Sequence, residues 1–290
     1  MSSQPTVLNW LSADGLKLFA RDYGADGSPS GPPVICIHGL SRNSLDFDDV
    51  ARRLSERGLR TVAIDVRGRG RSDWDPNPGN YTPAVYAADV LALMQAAGIA
   101  RASFIGTSMG GLVAMVLAAM RPEAIAAIVL NDVGPSWRTE GMAQIASGLL
   151  QERRPATWRA AAAQVRAGNA HVFPDYGEQD WDRMARRLYS PDERGELVRD
   201  VDPAIVAGLA TAADAPQPDL WPLFMQAVTG RPVLLVRGAL SELIDEAIAA
   251  RMRNAAPHMA YSLIPRVGHA PMLDEPAAIA SIDAFLGAIV

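Results

Sequence analysis

A serine flanked by glycines two positions before and after it occurs in the run Gly-Thr-Ser-Met-Gly-Gly at positions 106–111. Residues 102–105 are short, apolar and aromatic, which predicts a buried strand, and residues 112–120 are almost wholly apolar, which predicts a buried helix. Ser108 is therefore expected on a sharp strand-to-helix turn, where glycines remove side chains that would collide and the turn exposes the hydroxyl. The pattern predicts that Ser108 is a nucleophile.

A serine hydroxyl is a weak nucleophile at neutral pH and needs a neighbouring base. Among the four histidines, His269 is the candidate general base, because its loop joins the last predicted strand to the last predicted helix, at the sheet end that carries Ser108. His38 follows another predicted strand at that end, and a structural hydrogen-bonding role is expected for it. His171 and His258 are expected to have surface or packing roles.

The imidazole also needs a carboxylate that fixes its tautomer and stabilises its charged form. The first choice is Glu242, in the loop after the strand predicted at residues 232–237, between nucleophile and base in the sequence. Asp245 is the second choice, although its position suits the N-cap of the following helix. Asp132 is the third, because the loop after the strand predicted at 124–130 also opens toward Ser108.

Strands alternate with helices along most of the chain, which predicts an α/β fold with a mostly parallel sheet flanked by helices. An N-terminal hairpin is predicted to turn at Asp14-Gly15. The alternation stops at residues 134–220, where helical patterns appear without a convincing buried strand. We therefore expect a core made of residues 1–133 and 221–290, interrupted by a helical cap at 134–220.

Four motifs occur in order along the chain: His38-Gly39, Asp65-x-Arg67-Gly68-x-Gly70-x-Ser72, Gly106-x-Ser108-x-Gly110-Gly111 and Gly268-His269. Together they resemble the serine-type α/β-hydrolase fold family, in its esterase- or lactonase-like form with a helical cap. The resemblance implies an oxyanion hole made by the backbone N–H groups of Leu40 and Met109. It also implies the order nucleophile, acid, base, which Ser108, Glu242 and His269 fit, although the family usually has Asp as the acid.

The resemblance implies a serine hydrolase that cleaves a carboxylic ester or lactone through an acyl-enzyme. Several aromatic residues of the cap are expected to pack, and a few to line an apolar pocket that favours an apolar substrate group. These residues are Trp137, Trp158, Phe173, Trp181 and Tyr189, with Trp221 and Phe224 at the end of the cap. One alternative is a carbon–carbon bond hydrolase of ring-cleavage diketones, but such relatives often have an aromatic residue where this chain has Ala270. Another alternative is a receptor that binds its ligand without turnover.

Composition narrows the remaining possibilities. The net charge of −5 argues against general nucleic-acid binding. The resemblance implies a small-molecule substrate as the partner. One cysteine and four histidines suggest no dedicated metal site, and Gly68-Arg69-Gly70 lacks the third glycine of a dinucleotide fingerprint, so no cofactor is expected. We see neither a signal peptide at residues 1–5 nor an apolar run of about 18 residues, so we expect a cytoplasmic protein without membrane contact. The oligomeric state stays open.

Overall fold

The computed structural model describes residues 4–24, 30–150, 154–212 and 217–289. Residues 1–3 of the N-terminal segment, and residues 151–153 and 213–216 of the predicted cap, lie outside the described part. The main sheet has eight strands: β1 (Thr6–Leu11), β2 (Lys17–Tyr23), β3 (Val34–Ile37), β4 (Thr61–Asp65), β5 (Ala102–Thr107), β6 (Ile125–Asn131), β9 (Val233–Gly238) and β10 (Ala260–Ile264). A separate two-stranded ribbon consists of β7 (Tyr189–Pro191) and β8 (Leu197–Arg199). The described helices are α1 (Asp48–Glu56), α2 (Pro83–Ala96), α3 (Met109–Met120), α4 (Thr139–Leu150), α5 (Trp158–Asn169), α6 (Glu178–Leu188), α7 (Pro203–Ala212), α8 (Trp221–Val228), α9 (Glu246–Ala255) and α10 (Pro276–Gly287).

The strand order is β1-β2-β4-β3-β5-β6-β9-β10. The hairpin of β1 and β2 is antiparallel, and β2 is also antiparallel to β4, whereas every other pair in the sheet is parallel. The predicted hairpin turn is confirmed, with Gly15 at a φ of 89° that glycine adopts without a steric penalty. Because parallel strands end at the same edge, the loops after β3, β5, β6, β9 and β10 meet there.

Both faces of the sheet are buried, which explains why its central strands are continuous apolar runs. Neighbouring residues of β5 illustrate the arrangement: Phe104 packs into the cluster that includes α2, α3 and α8, whereas Ile105 packs into the cluster that includes α1 and α10. Both side chains are fully buried. The fold class predicted from the alternation of strands and helices is therefore confirmed.

Between β6 and β9, residues 134–220 contain four helices in the described part, α4 to α7, and we call this stretch the inserted segment. The sequence predicted these helices but missed the β7–β8 ribbon, because strands of three residues are too short to show a period. The sequence also missed α8, whose Phe224 is fully buried in the core. None of the described helices has the length and apolar character needed to cross a bilayer.

Arg67 joins three parts of the core through a buried ion cluster. Its guanidinium binds Asp89 of α2 through two hydrogen bonds of 2.6 Å, and it also binds Asp75 at 2.5 Å and Asp14 of the hairpin turn at 2.8 Å. The side chains of Arg67, Asp75 and Asp89 are 2%, 2% and 7% exposed, and among the described residues Arg67 is the counter-charge of both buried carboxylates. This geometry gives Arg67 a structural role in the core.

Replacing Arg67 by methionine is expected to lower the free energy of unfolding by about 3–5 kcal/mol, because two buried carboxylates lose their counter-charge. Urea unfolding would measure the loss. Arg71→Met is the matched control, because Arg71 lies in the same loop but is exposed, and its side chain stacks on Phe19. Its loss should therefore be below about 1 kcal/mol. Equal losses in the two variants would contradict the role given to the ion cluster.

The Asp14 carboxylate gives the hairpin turn a pH dependence. Hydrogen bonds from Arg67 hold the pKa of Asp14 at about 2, below its usual 3.8. The stabilisation therefore is fully present above about pH 4 and disappears as the pH falls through 2. We expect wild type to be more stable than the Asp14→Asn variant at pH 5 and the difference to shrink toward pH 2, measured by urea unfolding across this range. A difference that stays constant with pH would contradict the assignment.

Candidate active site

Ser108 lies between β5 and α3, on the turn that the sequence predicted. Its backbone has φ 51° and ψ −115°, a conformation that costs a non-glycine residue about 1–3 kcal/mol. The flanking glycines permit a close approach of three backbone segments, from β3, β5 and α3. A Cβ on Gly106 would lie 2.4 Å from the carbonyl carbon of Gly110, and one on Gly110 would lie 2.0 Å from the carbonyl oxygen of Ile37 in β3. The turn thus needs glycine at both positions.

The structure brings His269 to Ser108 from the other end of the chain. Nε2 of His269 lies 3.0 Å from Oγ of Ser108. The histidine side chain is 12% exposed, and it projects from the loop between β10 and α10. Two hydrogen bonds anchor this loop on either side of the imidazole: Gly268 donates from its N–H to the carbonyl of Val172, and Asn131 donates from Nδ2 to the carbonyl of Pro271. The distance allows His269 to accept the Ser108 proton.

The other nitrogen of the imidazole contacts Asp132. Nδ1 of His269 lies 2.8 Å from Oδ2 of Asp132, whose side chain is fully buried. The sheet register explains this contact: Thr107 of β5 pairs with Asn131 of β6, so Ser108 and Asp132 leave adjacent strands side by side. The N–H of Ser108 also donates to the carbonyl of Asn131 at 2.9 Å. Ser108, His269 and Asp132 form one hydrogen-bonded series.

This arrangement corrects the first choice of acid. Glu242 is exposed in the loop after β9, and Asp132 occupies the position against His269 that was predicted for Glu242. β9 is separated from β5 by β6, so the loop after β6 lies nearer to Ser108. Asp245 is the N-cap of α9, and its carboxylate accepts a hydrogen bond from the N–H of Ile248 at 2.9 Å. Its carboxylate therefore caps a helix and is not the partner of His269.

The loop after β9 contributes to the site in a different way, by holding Asp132. The hydroxyl of Ser241 donates to Oδ2 of Asp132 at 2.6 Å, and the N–H of Gly238 donates to Oδ1 at 2.9 Å. With His269, these two donors give the buried carboxylate three partners. Ser241 could not be predicted from the sequence, because a lone serine in a loop has no signal that separates it from a solvent-exposed residue.

His38 and Leu40 lie in the loop after β3. Burial lowers the pKa of His38 to about 3, so the ring is neutral at pH 7. Its Nε2 accepts the N–H of Val66 at 3.0 Å, which leaves the proton on Nδ1, and Nδ1 donates to the carbonyl of Gly39 at 2.7 Å. That carbonyl belongs to the same peptide group as the N–H of Leu40, which the resemblance implies as an oxyanion donor. His38 therefore orients this peptide group, the structural hydrogen-bonding role expected for it.

A cavity of about 470 Å³ borders Ser108 and His269. Its walls come from core loops and from the inserted segment, and they mix apolar and polar side chains. Examples from the inserted segment are Ile145, Val165, Met184, Gln144 and Asn169. Of the seven aromatic residues considered from the sequence, Phe173 borders the cavity in the described part of the chain. The pocket is therefore less aromatic than expected.

Comparison with known proteins places this geometry in a family. Residues 32–276 match the family model described as the α/β hydrolase fold. A 3-hydroxybutyrate-oligomer hydrolase from Cupriavidus necator is 32% identical, over 97% of this chain and 97% of that protein. A 2-(acetamidomethylene)succinate hydrolase from Mesorhizobium japonicum is 29% identical, over 83% of this chain and 82% of that protein.

A solved structure gives the same result for the fold. An α/β hydrolase from Novosphingobium aromaticivorans, known from a crystal structure, is 40% identical in sequence to this chain. The match covers 100% of both chains, and the two structures superpose with a TM-score of 0.91. The chain belongs to the α/β-hydrolase fold family, as the sequence motifs predicted. Its relatives named above are hydrolases, which supports hydrolase activity for this protein.

Proposed function

We propose that this protein is a serine hydrolase that cleaves a carboxylic ester or lactone through an acyl-enzyme. The observation that carries the proposal is the uninterrupted series from Oγ of Ser108 through both nitrogens of His269 to Oδ2 of Asp132, with contacts of 3.0 and 2.8 Å. A nucleophile, a base and a buried carboxylate in this geometry are the parts that acyl transfer requires.

In the first half of the reaction, Oγ of Ser108 attacks the ester carbonyl carbon while Nε2 of His269 takes the hydroxyl proton. The charge of Asp132 stabilises the resulting imidazolium, and its contact with Nδ1 keeps Nε2 directed at Ser108. The imidazolium then protonates the leaving alcohol, which leaves the acyl group on Ser108. In the second half, His269 activates a water molecule that releases the acid and restores the serine.

Two backbone N–H groups are proposed to bind the oxyanion. Met109 is the first residue of α3, so its N–H has no acceptor within the helix. Within the described residues, no hydrogen bond is formed by the N–H of Met109 or by that of Leu40. Met109 directly follows Ser108 in the chain, and Leu40 borders the cavity, so both N–H groups are available for a substrate oxygen.

The substrate class is narrowed by the cavity and the relatives together. The relative from Cupriavidus necator is named for the hydrolysis of 3-hydroxybutyrate oligomers, whose units are joined by ester bonds. The cavity, with apolar and hydrogen-bonding walls, suits such an oxygen-rich aliphatic chain better than a purely aromatic group. We therefore propose short aliphatic esters, including hydroxyacid oligoesters, as the first substrates to test.

A substrate panel tests the proposal. Wild type is assayed with p-nitrophenyl butyrate, a 3-hydroxybutyrate trimer, a γ-lactone and a ring-cleavage diketone, with product acids quantified by chromatography. We expect multiple turnovers on at least one ester or lactone. Turnover confined to the diketone would favour carbon–carbon bond hydrolysis, and a single equivalent of released nitrophenol without turnover would favour a receptor; either result would overturn the proposal.

A further inference from the structure

Arg69 is a buried arginine beside the proposed oxyanion hole. Its side chain is fully buried, and no carboxylate within the described residues forms a salt bridge with it. Instead, Nη1 donates to the carbonyl of Arg67 and to the hydroxyl of Tyr86, both at 2.8 Å. The guanidinium also lies 5.0 Å from the ring centroid of Tyr86 and 5.6 Å from that of Tyr81.

Burying a cation without a counter-ion reduces the stability of the folded state, even when carbonyl groups and aromatic rings satisfy its donors. Arg67 two residues earlier shows the ordinary solution, with three carboxylates around one guanidinium. The environment of Arg69 differs from that of Arg67. We therefore infer that the charge and the N–H donors of Arg69 act on the proposed oxyanion hole rather than stabilise the core.

The remaining contacts of Arg69 reach both proposed oxyanion donors. Nε donates to the carbonyl of Leu40 at 2.9 Å, and Nη2 lies 3.5 Å from Sδ of Met109. His38 holds the carbonyl of Gly39 on the other side of Leu40. The two peptide groups that flank Leu40 are thus each held by a buried side chain, which leaves little freedom for the Leu40 N–H.

We propose that Arg69 is the positioning residue of the oxyanion hole: it fixes Leu40 through its carbonyl and Met109 through its side chain, and it places a positive charge behind the developing oxyanion. The proposal rests on the proposed serine hydrolase function. Preorganised donors and charges that stabilise the transition state more than the bound substrate raise kcat with little effect on KM.

The test uses Arg69→Met, which removes the charge but retains apolar volume, and Arg69→Lys, which retains the charge but cannot hold both Leu40 and Arg67. For the ester that wild type hydrolyses best, we expect kcat to fall about 10- to 100-fold in Arg69→Met and less in Arg69→Lys. KM should stay within about threefold. Arg71→Met is the matched control, with kcat within about twofold of wild type.

A second readout separates positioning from a general structural role. A trifluoromethyl ketone analogue of that ester adds to the serine and forms an oxyanion, so its Ki should rise in Arg69→Met in proportion to the loss of kcat/KM. Binding of the intact ester should be the same in Ser108→Ala and in the double variant Ser108→Ala/Arg69→Met, because neither forms the oxyanion.

The outcomes are distinct. An unchanged kcat, a parallel loss of intact-ester binding, or failure of both Arg69 variants to fold would overturn the positioning role while wild type remains active. An inactive wild type that does not bind the ketone would instead show that the proposed function has failed, and the role of Arg69 with it.

Discussion

The Ser108→Ala variant is expected to lose about 10⁴- to 10⁶-fold in kcat for ester hydrolysis, because it keeps the cavity and the oxyanion donors but has no nucleophile. Steady-state assays with p-nitrophenyl butyrate would measure the loss. The free energy of unfolding should not decrease, since alanine removes a hydroxyl from a partly exposed site.

A matched control for this variant is Ser103→Ala, because Ser103 is a buried serine of the same strand, β5, away from the loop that carries Ser108. It should keep kcat within about threefold of wild type. If Ser108→Ala retained a tenth or more of the wild-type rate, Ser108 could not be the nucleophile.

The second large effect is expected for Asp132→Asn, with a loss of about 10⁴-fold in kcat. The N–H of Gly238 donates to Oδ1 of Asp132, so an asparagine would keep its oxygen there and direct its NH₂ group at His269. That NH₂ group would donate to Nδ1, which places the ring proton on Nε2 and removes the acceptor for the Ser108 hydroxyl.

Glu242→Gln is the control that decides between the two carboxylates. Glu242 borders the cavity but is exposed, so kcat should stay within about threefold of wild type. The same assay compares both variants. A large loss in Glu242→Gln together with a small one in Asp132→Asn would restore the acid first chosen from the sequence and contradict the observed contact.

The nucleophile and its base could be predicted because each has a local pattern. Gly106 is required by a backbone contact with Gly110 in the same strand-turn-helix unit, and Gly110 is required by a contact with Ile37 of the neighbouring strand β3. His269 follows the last strand, and parallel strands place such loops at a common edge. The spacing of the glycines around Ser108 and the direction of the chain can both be read from a sequence.

The acid could not be chosen in the same way, because the choice depends on which strands are neighbours. Asp132 and Glu242 both follow buried strands, and the sequence does not show that β6 lies next to β5 while β9 lies one strand further away. The role of Ser241 depends on its hydrogen bond to Asp132, and that of Arg69 on its hydrogen bond to Leu40. No spacing of residues in the sequence predicts either contact. Pocket polarity depends on how the inserted segment lies over the core, which explains why few of the predicted aromatic residues border the cavity.

The most direct test of the account is the site and rate of labelling by a fluorophosphonate ester, which reacts with an activated serine. Intact mass and peptide mapping should show one equivalent on the peptide that contains Ser108. The rate should fall steeply in Asp132→Asn and stay at the wild-type value in Glu242→Gln. Labelling of another residue, or equal rates in wild type and Asp132→Asn, would contradict the proposed relay from Asp132 through His269 to Ser108.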